Sequence, residues 1–397
     1  MNSLPVIVFA LRFKNSRKYI IVWIVTKSKN NVEAVDRDLQ LFIDFKRVWG
    51  ENTWLKFYRY YIEHNLNSMD IVTNIKQKVK GRALRVTLPE GEDERVLAAA
   101  RKIVDEQIGR PILLGNPDKI KATAQKVGVS LEGIRVINLK NNDRLDAYAA
   151  EYIKGRDNLT PSLARRMVAK SLFFGAMMVR CGDADAMVGG VAHATATLIQ
   201  AGTLTVGLMP GIKTVSSYFL MIIPNFQGRK DAPFIYADCA VNIDPTAEQL
   251  ADIAIASAAS ARKILGEEPR VALLSFSTKG SASSPSVDKV KKALQIVRRR
   301  EPKLAIDGEF QADSAIVPRV AAKKVKEPSD VAGKANVLIF PNLNSGNIAY
   351  KLTQYMANAQ AIGPFLQGFA KPLSDLSRGA SSEDIVNTVA MTLAQLI

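Results

Sequence analysis

Leu84-Arg85-Val86-Thr87-Leu88-Pro89-Glu90-Gly91 is the stretch that decides the fold. A short run of strand composition meets a proline and a glycine, which end a strand and turn the chain. A helix follows over 94–106, with Val96, Ala99, Ala100, Ile103 and Val104 at helical spacing. A second strand, 111–114, stops at Gly115-Asn116-Pro117, and a third is expected over 134–139. Outward from this unit the alternation continues. Apolar runs at 186–188, 234–237, 271–276, 304–307, 337–340 and 361–366 are separated by helical stretches such as 246–265 and 286–299. A β-α-β-α order of this kind predicts an α/β fold of mostly parallel sheets with helices on both faces, a three-layer αβα arrangement. Ligands in such folds sit at the carboxyl ends of strands.

The chain has 397 residues, enough for two or three domains, and 47% of them are hydrophobic. Two cysteines, Cys181 and Cys239, cannot make a disulfide framework, and no Cys/His cluster has metal-ligand spacing. The expected setting is the reducing cytoplasm, with no metal site. Two histidines, His64 and His193, argue against His-rich chemistry. The net charge of +16 fits either an anionic polymer or surface, or an enzyme with phosphate-bearing substrates. The basic residues are dispersed, and no RNA- or DNA-binding signature accompanies them, so the phosphate reading is preferred over nucleic acid.

Residues 1–68 differ in composition. They hold all three tryptophans and 12 of the 28 aromatic residues. Their apolar stretches, 4–11 and Tyr19–Val25, are too short to span a bilayer, and Arg12, Lys14, Arg17 and Lys18 separate them. No basic segment precedes the first stretch and no small-residue cleavage pattern follows, so neither a membrane anchor nor a secretory peptide is expected. Met69-Asp70-Ile71-Val72 reads as a fresh start, so 1–68 is expected to be an atypical extension, dispensable and not part of the native enzyme.

Four segments carry the chemistry. Ser275-Phe276-Ser277-Thr278-Lys279-Gly280-Ser281 puts hydroxyls, a lysine and a glycine at a strand end, where they can cradle a phosphate or simply cap a helix. Asn342-Leu343-Asn344-Ser345-Gly346-Asn347 follows another buried strand and suits a turn or a ligand contact. Leu376-Ser377-Arg378-Gly379-Ala380-Ser381-Ser382-Glu383-Asp384 contains an S-x-x-D capping box at Ser381 and Asp384. Asp384 then either caps the helix or joins Ser377 and Arg378 around one anion at the positive helix end. Gly189-Gly190-Val191-Ala192-His193 places a histidine just beyond a buried strand, in a structural or a chemical role.

Together, Val86–Gly91 with Glu94-Arg95, Gly182-Asp183-Ala184-Asp185, Ser275–Ser281, Asp307-Gly308-Glu309, 334–341, 344–347 and 371–379 resemble the phosphate acetyltransferase family across 69–397. The resemblance implies two α/β domains, 69–211 with 365–397 and 212–364, an active-site cleft between them, and a homodimer. It implies reversible acetyl transfer between acetyl-CoA and phosphate, with coenzyme A as substrate and no cofactor. The family's catalytic serine, arginine and aspartate match Ser377, Arg378 and Asp384. Ser277, Thr278, Lys279, Gly280 and Ser281 match the stretch lining the coenzyme A and phosphate site. Asn344, Gly346, Asn347 and His193 are further substrate-binding candidates. So is Gln200, which stands where the family usually has an arginine and donates hydrogen bonds without charge. Lys154 and Arg156 align loosely with another basic position, and Ala380 replaces a common cysteine.

The mechanism this implies is a ternary complex in which Asp384 takes the thiol proton, Ser377 binds the oxyanion and Arg378 binds phosphate. Covalent thiol catalysis by Cys181 or Cys239 is not expected. Rival readings are a phosphate butyryltransferase, a non-catalytic acetyl-CoA-sensing module, and a basic nucleic-acid or membrane binder using the extension.

Overall fold

A computed structural model describes residues 71–140 and 142–397, together with the strands Val6–Arg12 and Tyr19–Val25. These two strands pair antiparallel, with Val6 opposite Val25. The remaining statements about residues 1–68 lie outside the described residues. The chain divides into two compact units, Met1–Met69 and Asp70–Ile397.

Within Asp70–Ile397 there are two sheets. The first has five parallel strands in the order Leu373–Asp375, Ala186–Gly189, Arg85–Leu88, Arg110–Leu114 and Arg135–Ile137. Ala186–Gly189 is buried along its whole length, as a central parallel strand covered on both faces must be. The second sheet runs Ile306–Phe310, Val271–Leu274, Val337–Ile339, Ala232–Ala237, Ser216–Ile223 and Gln360–Gln367. Its first four strands are parallel, and the last two pair antiparallel. The α/β expectation therefore holds, with an antiparallel margin on one sheet. Among the described residues no helix is long and apolar enough to cross a membrane.

Local chemistry explains the element ends. Helix Ala247–Leu265 starts at a Thr246/Gln249 capping box and stops at Gly266, whose φ is +67°. Pro285 opens helix Pro285–Arg300 behind the Ser284 cap, and three arginines fill its last turn. Helix Ser171–Cys181 buries Leu172 through Val179 without interruption, so it lies inside the core rather than on its surface.

Two features depart from the reading by pattern. Ser216–Ile223, buried at every residue, is a strand that no alternation marks. Gln360–Gln367 runs through the boundary expected at 364/365. Phe365, Leu366 and Gln367 still pair with Tyr218, Ser217 and Ser216, and the chain rejoins the first sheet only at Leu373.

Candidate active site

Gly189 and Asp375 are partners in register on adjacent parallel strands. The loops that leave them carry His193 on one side and Ser377 and Arg378 on the other. Glu90, beyond the next strand, organises both. Its side chain is only 5% exposed. Oε2 accepts from the backbone N–H groups of Gly190 (2.8 Å) and Val191 (3.2 Å), and Oε1 accepts from Ala192 N–H (2.9 Å). Nδ1 of His193 lies 2.7 Å from Oε1. Arg95 ties the two loops together: it donates to the carbonyls of Arg378 (2.7 Å), Ala380 (3.1 Å) and Val191 (3.4 Å). Asp93 holds Arg95 in place, and the guanidinium in turn keeps the Asp93 carboxyl below its ordinary pKa.

Ser377, Arg378 and Asp384 are all exposed. The Ser377 hydroxyl accepts from Gly379 N–H at 3.2 Å. Asp384 completes the expected capping box of helix Ser382–Ala394. Its Oδ2 accepts from Ser381 N–H (2.9 Å) and from the Ser381 hydroxyl (2.7 Å). Both of these cap bonds fall on Oδ2. Among the described residues no carboxylate pairs with the Arg378 guanidinium, whereas Arg95, which bonds the Arg378 carbonyl, is paired with Asp93. An unpaired planar cation beside a positive helix end is a receptor for a doubly charged oxyanion.

Asp375 was not anticipated. It is 5% exposed, its Oδ2 accepts the Thr195 hydroxyl, and its Oδ1 is buried without a protein partner. Burial pushes its carboxyl up to about 6, against the pull of the Thr195 bond. Because the folded value lies above the unfolded one, stability drawn from the neutral form is complete below about pH 4 and is lost as the pH rises through about 6. A rise of that size corresponds to about 3 kcal/mol. Asp375→Asn is therefore expected to remove that share of the pH dependence. Urea unfolding of both proteins at pH 4.5 and 7.5 measures it, and equal losses in the two would refute the assignment.

The second sheet supplies the other candidates, also at strand ends. Ser277 and Thr278 follow Val271–Leu274 but are buried. The Ser277 hydroxyl donates to Glu309 (2.9 Å), and that of Thr278 bonds Ser314 (3.2 Å). Gly280 N–H also donates to Glu309. Lys279, at φ +49°, turns its ammonium onto buried Asp307 at 2.6 Å, where Arg298 joins it. The loop is thus braced by its own carboxylates, and Gly280 and Ser281 form its exposed tip. Asn344, Gly346 and Asn347 open helix Leu343–Met356, capped by Asn342. Gly346 lies against the Asp238 carbonyl, too close for a Cβ, and Asn347 donates to the Cys239 carbonyl at 3.2 Å.

A cavity of about 610 Å³ lies between helix Thr195–Thr205 and the loop that follows strand Ala232–Ala237. Helix Thr195–Thr205 lines it with Ile199, Gln200 and Leu204, and the strand-end loop after Ala232–Ala237 adds Ala240 and Val241. Gln200 is in this wall. Arg156 donates to the carbonyl of Leu204, another residue of this wall, and lies over the Tyr152 ring, while Lys154 pairs with Glu151. Burial raises the thiols of Cys181 and Cys239, the second strongly, which disfavours a thiolate nucleophile. Glu90, Arg95 and Asp375 were missed as organisers of the site. The only signal was a carboxylate directly after a strand and before a glycine, at Pro89-Glu90-Gly91.

Residues 70–393 match the profile of the family described as phosphate acetyl/butaryl transferase. The phosphate acetyltransferase of Clostridium acetobutylicum is 45% identical over 329 residues, covering 82% of this chain and 98% of that protein. That of Bacillus subtilis is 39% identical, covering 83% and 99%. Among solved structures, a phosphotransacetylase from Streptococcus pyogenes superposes with a TM-score of 0.78 at 40% identity, covering 83% of this chain and 98% of that one. The EutD phosphotransacetylase from Staphylococcus aureus gives 0.76 at 39%, with the same coverage. The fold, the order of the strand-end loops and these likenesses together place the chain in the phosphate acetyl/butaryl transferase family.

Proposed function

We propose that the chain is a phosphate acetyltransferase, transferring acetyl reversibly between acetyl-CoA and inorganic phosphate. The observation that carries the reading is the unpaired Arg378 guanidinium, exposed between the Ser377 hydroxyl and the start of helix Ser382–Ala394. The names of the relatives supply the acyl group and its acceptor. The two sheets are read as two domains, approximately 69–211 with 365–397 and 212–364, with the substrates between them. Coenzyme A and acetyl phosphate bind together, so proximity contributes to the rate. Asp384 accepts the thiol proton as the sulfur attacks the acetyl carbonyl carbon. Ser377 donates to the oxyanion. The bond to the phosphate oxygen then breaks, and Arg378 holds the departing anion. Loss of one oxyanion donor of this kind costs about 10²–10³ in rate.

Gly280, Ser281, Asn344, Asn347 and Gln200 are the contacts expected for the rest of coenzyme A. Ser277, Thr278 and Lys279 shape their loop from behind. A homodimer is supported by helix Leu343–Met356, which buries only Gly346 and exposes Ile348, Leu352, Tyr355 and Met356 at helical spacing. The free cysteines suit a cytoplasmic setting.

The test is a thioester assay of the full chain with acetyl-CoA and phosphate. Coenzyme A release that requires phosphate is expected, and its absence sinks the reading. Removing 1–68 should keep at least half of that rate; a loss of tenfold or more would make the extension part of the enzyme.

A further inference from the structure

The binding picture above gives Asp384 the proton on sulfur but leaves the proton on phosphate without a carrier. Inorganic phosphate at neutral pH carries at least one proton that acetyl phosphate, the stronger acid, has lost, and removing it as the oxygen attacks makes that oxygen a stronger nucleophile. Resting on the proposed activity, we propose that Glu90 holds His193 as its Nδ1–H tautomer, so that Nε2 accepts the proton of the attacking phosphate.

The geometry carries this in three steps. First, both Glu90 oxygens already accept backbone N–H groups from Gly190, Val191 and Ala192. An oxygen filled this way offers Nδ1 an acceptor, so Nδ1 must bring the hydrogen. The other ring nitrogen then has a lone pair. Second, among the described residues no bond to Nε2 is formed, and the His193 side chain is 36% exposed. Third, His193 is four residues beyond Gly189 and Arg378 three residues beyond Asp375, the registered partner of Gly189. Arg95 clamps the two loops by bonding the carbonyls of Val191 and Arg378. The anion held by Arg378 and the lone pair of His193 thus share one strand-end crevice.

In the acetyl phosphate-forming direction a phosphate oxygen attacks the thioester carbonyl while its proton passes to Nε2. The carbon–sulfur bond then breaks, and protonated Asp384 returns a proton to the thiolate. The reverse direction retraces these transfers. The charged groups around the imidazole are Glu90, the Asp93–Arg95 pair at the start of helix Glu94–Asp105, Arg378 on the facing loop, and Asp375 on the neighbouring strand. Glu90 is a positioning residue here, since it acts through His193.

With His64 and His193 the only histidines, side-chain ¹⁵N NMR of the full chain resolves both, and His193→Asn assigns them. The expected result is an Nδ1–H signature for His193 that disappears in Glu90→Gln. An Nε2–H signature, or one unchanged in Glu90→Gln, overturns the proposal whether or not the chain is a transacetylase. The kinetic arm uses His193→Asn, whose amide can still donate to Glu90 where Nδ1 did but has nothing in place of Nε2. A purely structural histidine would be rescued by this change. As a proton acceptor it would not, and kcat should fall about 10²-fold or more with the KM for acetyl-CoA little altered. The wild-type acid limb of the kcat/KM profile should vanish in His193→Asn and survive in Asp375→Asn. Activity within threefold of wild type, or an acid limb that persists in His193→Asn, would refute the role.

Discussion

Asp384→Asn is expected to lower kcat by about 10²–10⁴, the usual worth of a positioned general base, with little change in the KM for acetyl-CoA. The difficulty is that Asp384 also caps a helix. Its Oδ2 holds the Ser381 backbone and hydroxyl, so a loss of activity could follow from fraying of Ser382–Ala394. The two roles separate by atom and by residue. The amide oxygen of asparagine can still accept the cap bonds but cannot take up a proton. Ser381→Ala, in contrast, removes the capping hydroxyl and leaves the carboxylate. The serine change should cost about 1 kcal/mol of stability and less than about tenfold in turnover. The asparagine change should do the reverse. Steady-state kinetics and thermal unfolding of both variants decide the matter, and a rate loss that tracks stability in the two would reduce Asp384 to a cap.

The largest effect on stability is expected at Gly190. Its φ is +114°, where a side chain is strained, and a Cβ there would overlap Oδ1 of Asp375. The backbone N and O of Leu376 would each lie 2.8 Å away, and these cannot move without shifting the loop that carries Ser377 and Arg378. Gly190→Ala should cost roughly 3–5 kcal/mol and abolish activity in whatever protein folds. Gly182 is the control. It also has positive φ, +79°, but a Cβ there meets nothing within 4 Å. Its alanine variant should lose only about 1–2 kcal/mol, the cost of a left-handed backbone by itself. Urea unfolding of the two variants measures the gap, and equal losses would mean that packing against Asp375 is not what requires glycine.

The strands at 85–88, 110–114 and 186–189 were legible because a parallel strand buried on both faces is an apolar run punctuated by turn residues. The helix start at Ser381 was legible because capping is local chemistry between residues three apart, and the helices expected over 246–265 and 286–299 are capped by Thr246 and Ser284, within two residues of those bounds. The strand Ser216–Ile223 was not, since a fully buried run has no alternation to separate strand from core helix. Leu373–Asp375 was hidden for the opposite reason. It is only three residues long and ends in a serine and an aspartate, and its partner Ala186–Gly189 is almost two hundred residues away.

For the site, residue type and spacing identified Ser377, Arg378 and Asp384 as candidates, because a serine, a guanidinium and a carboxylate near one helix start are visible in the chain itself. Tertiary contacts decided which groups are free and which are spent. Lys279, marked as a phosphate ligand by its neighbours, is paired with Asp307, while among the described residues no carboxylate pairs with Arg378. Glu90 gained its place only when strand pairing brought the Gly190–Ala192 amides to it from a hundred residues away. The physical reason is range. Propensity, capping and hydrophobic period act within a turn or two of chain, whereas a carboxylate finds its partners through space, after the sheets have formed.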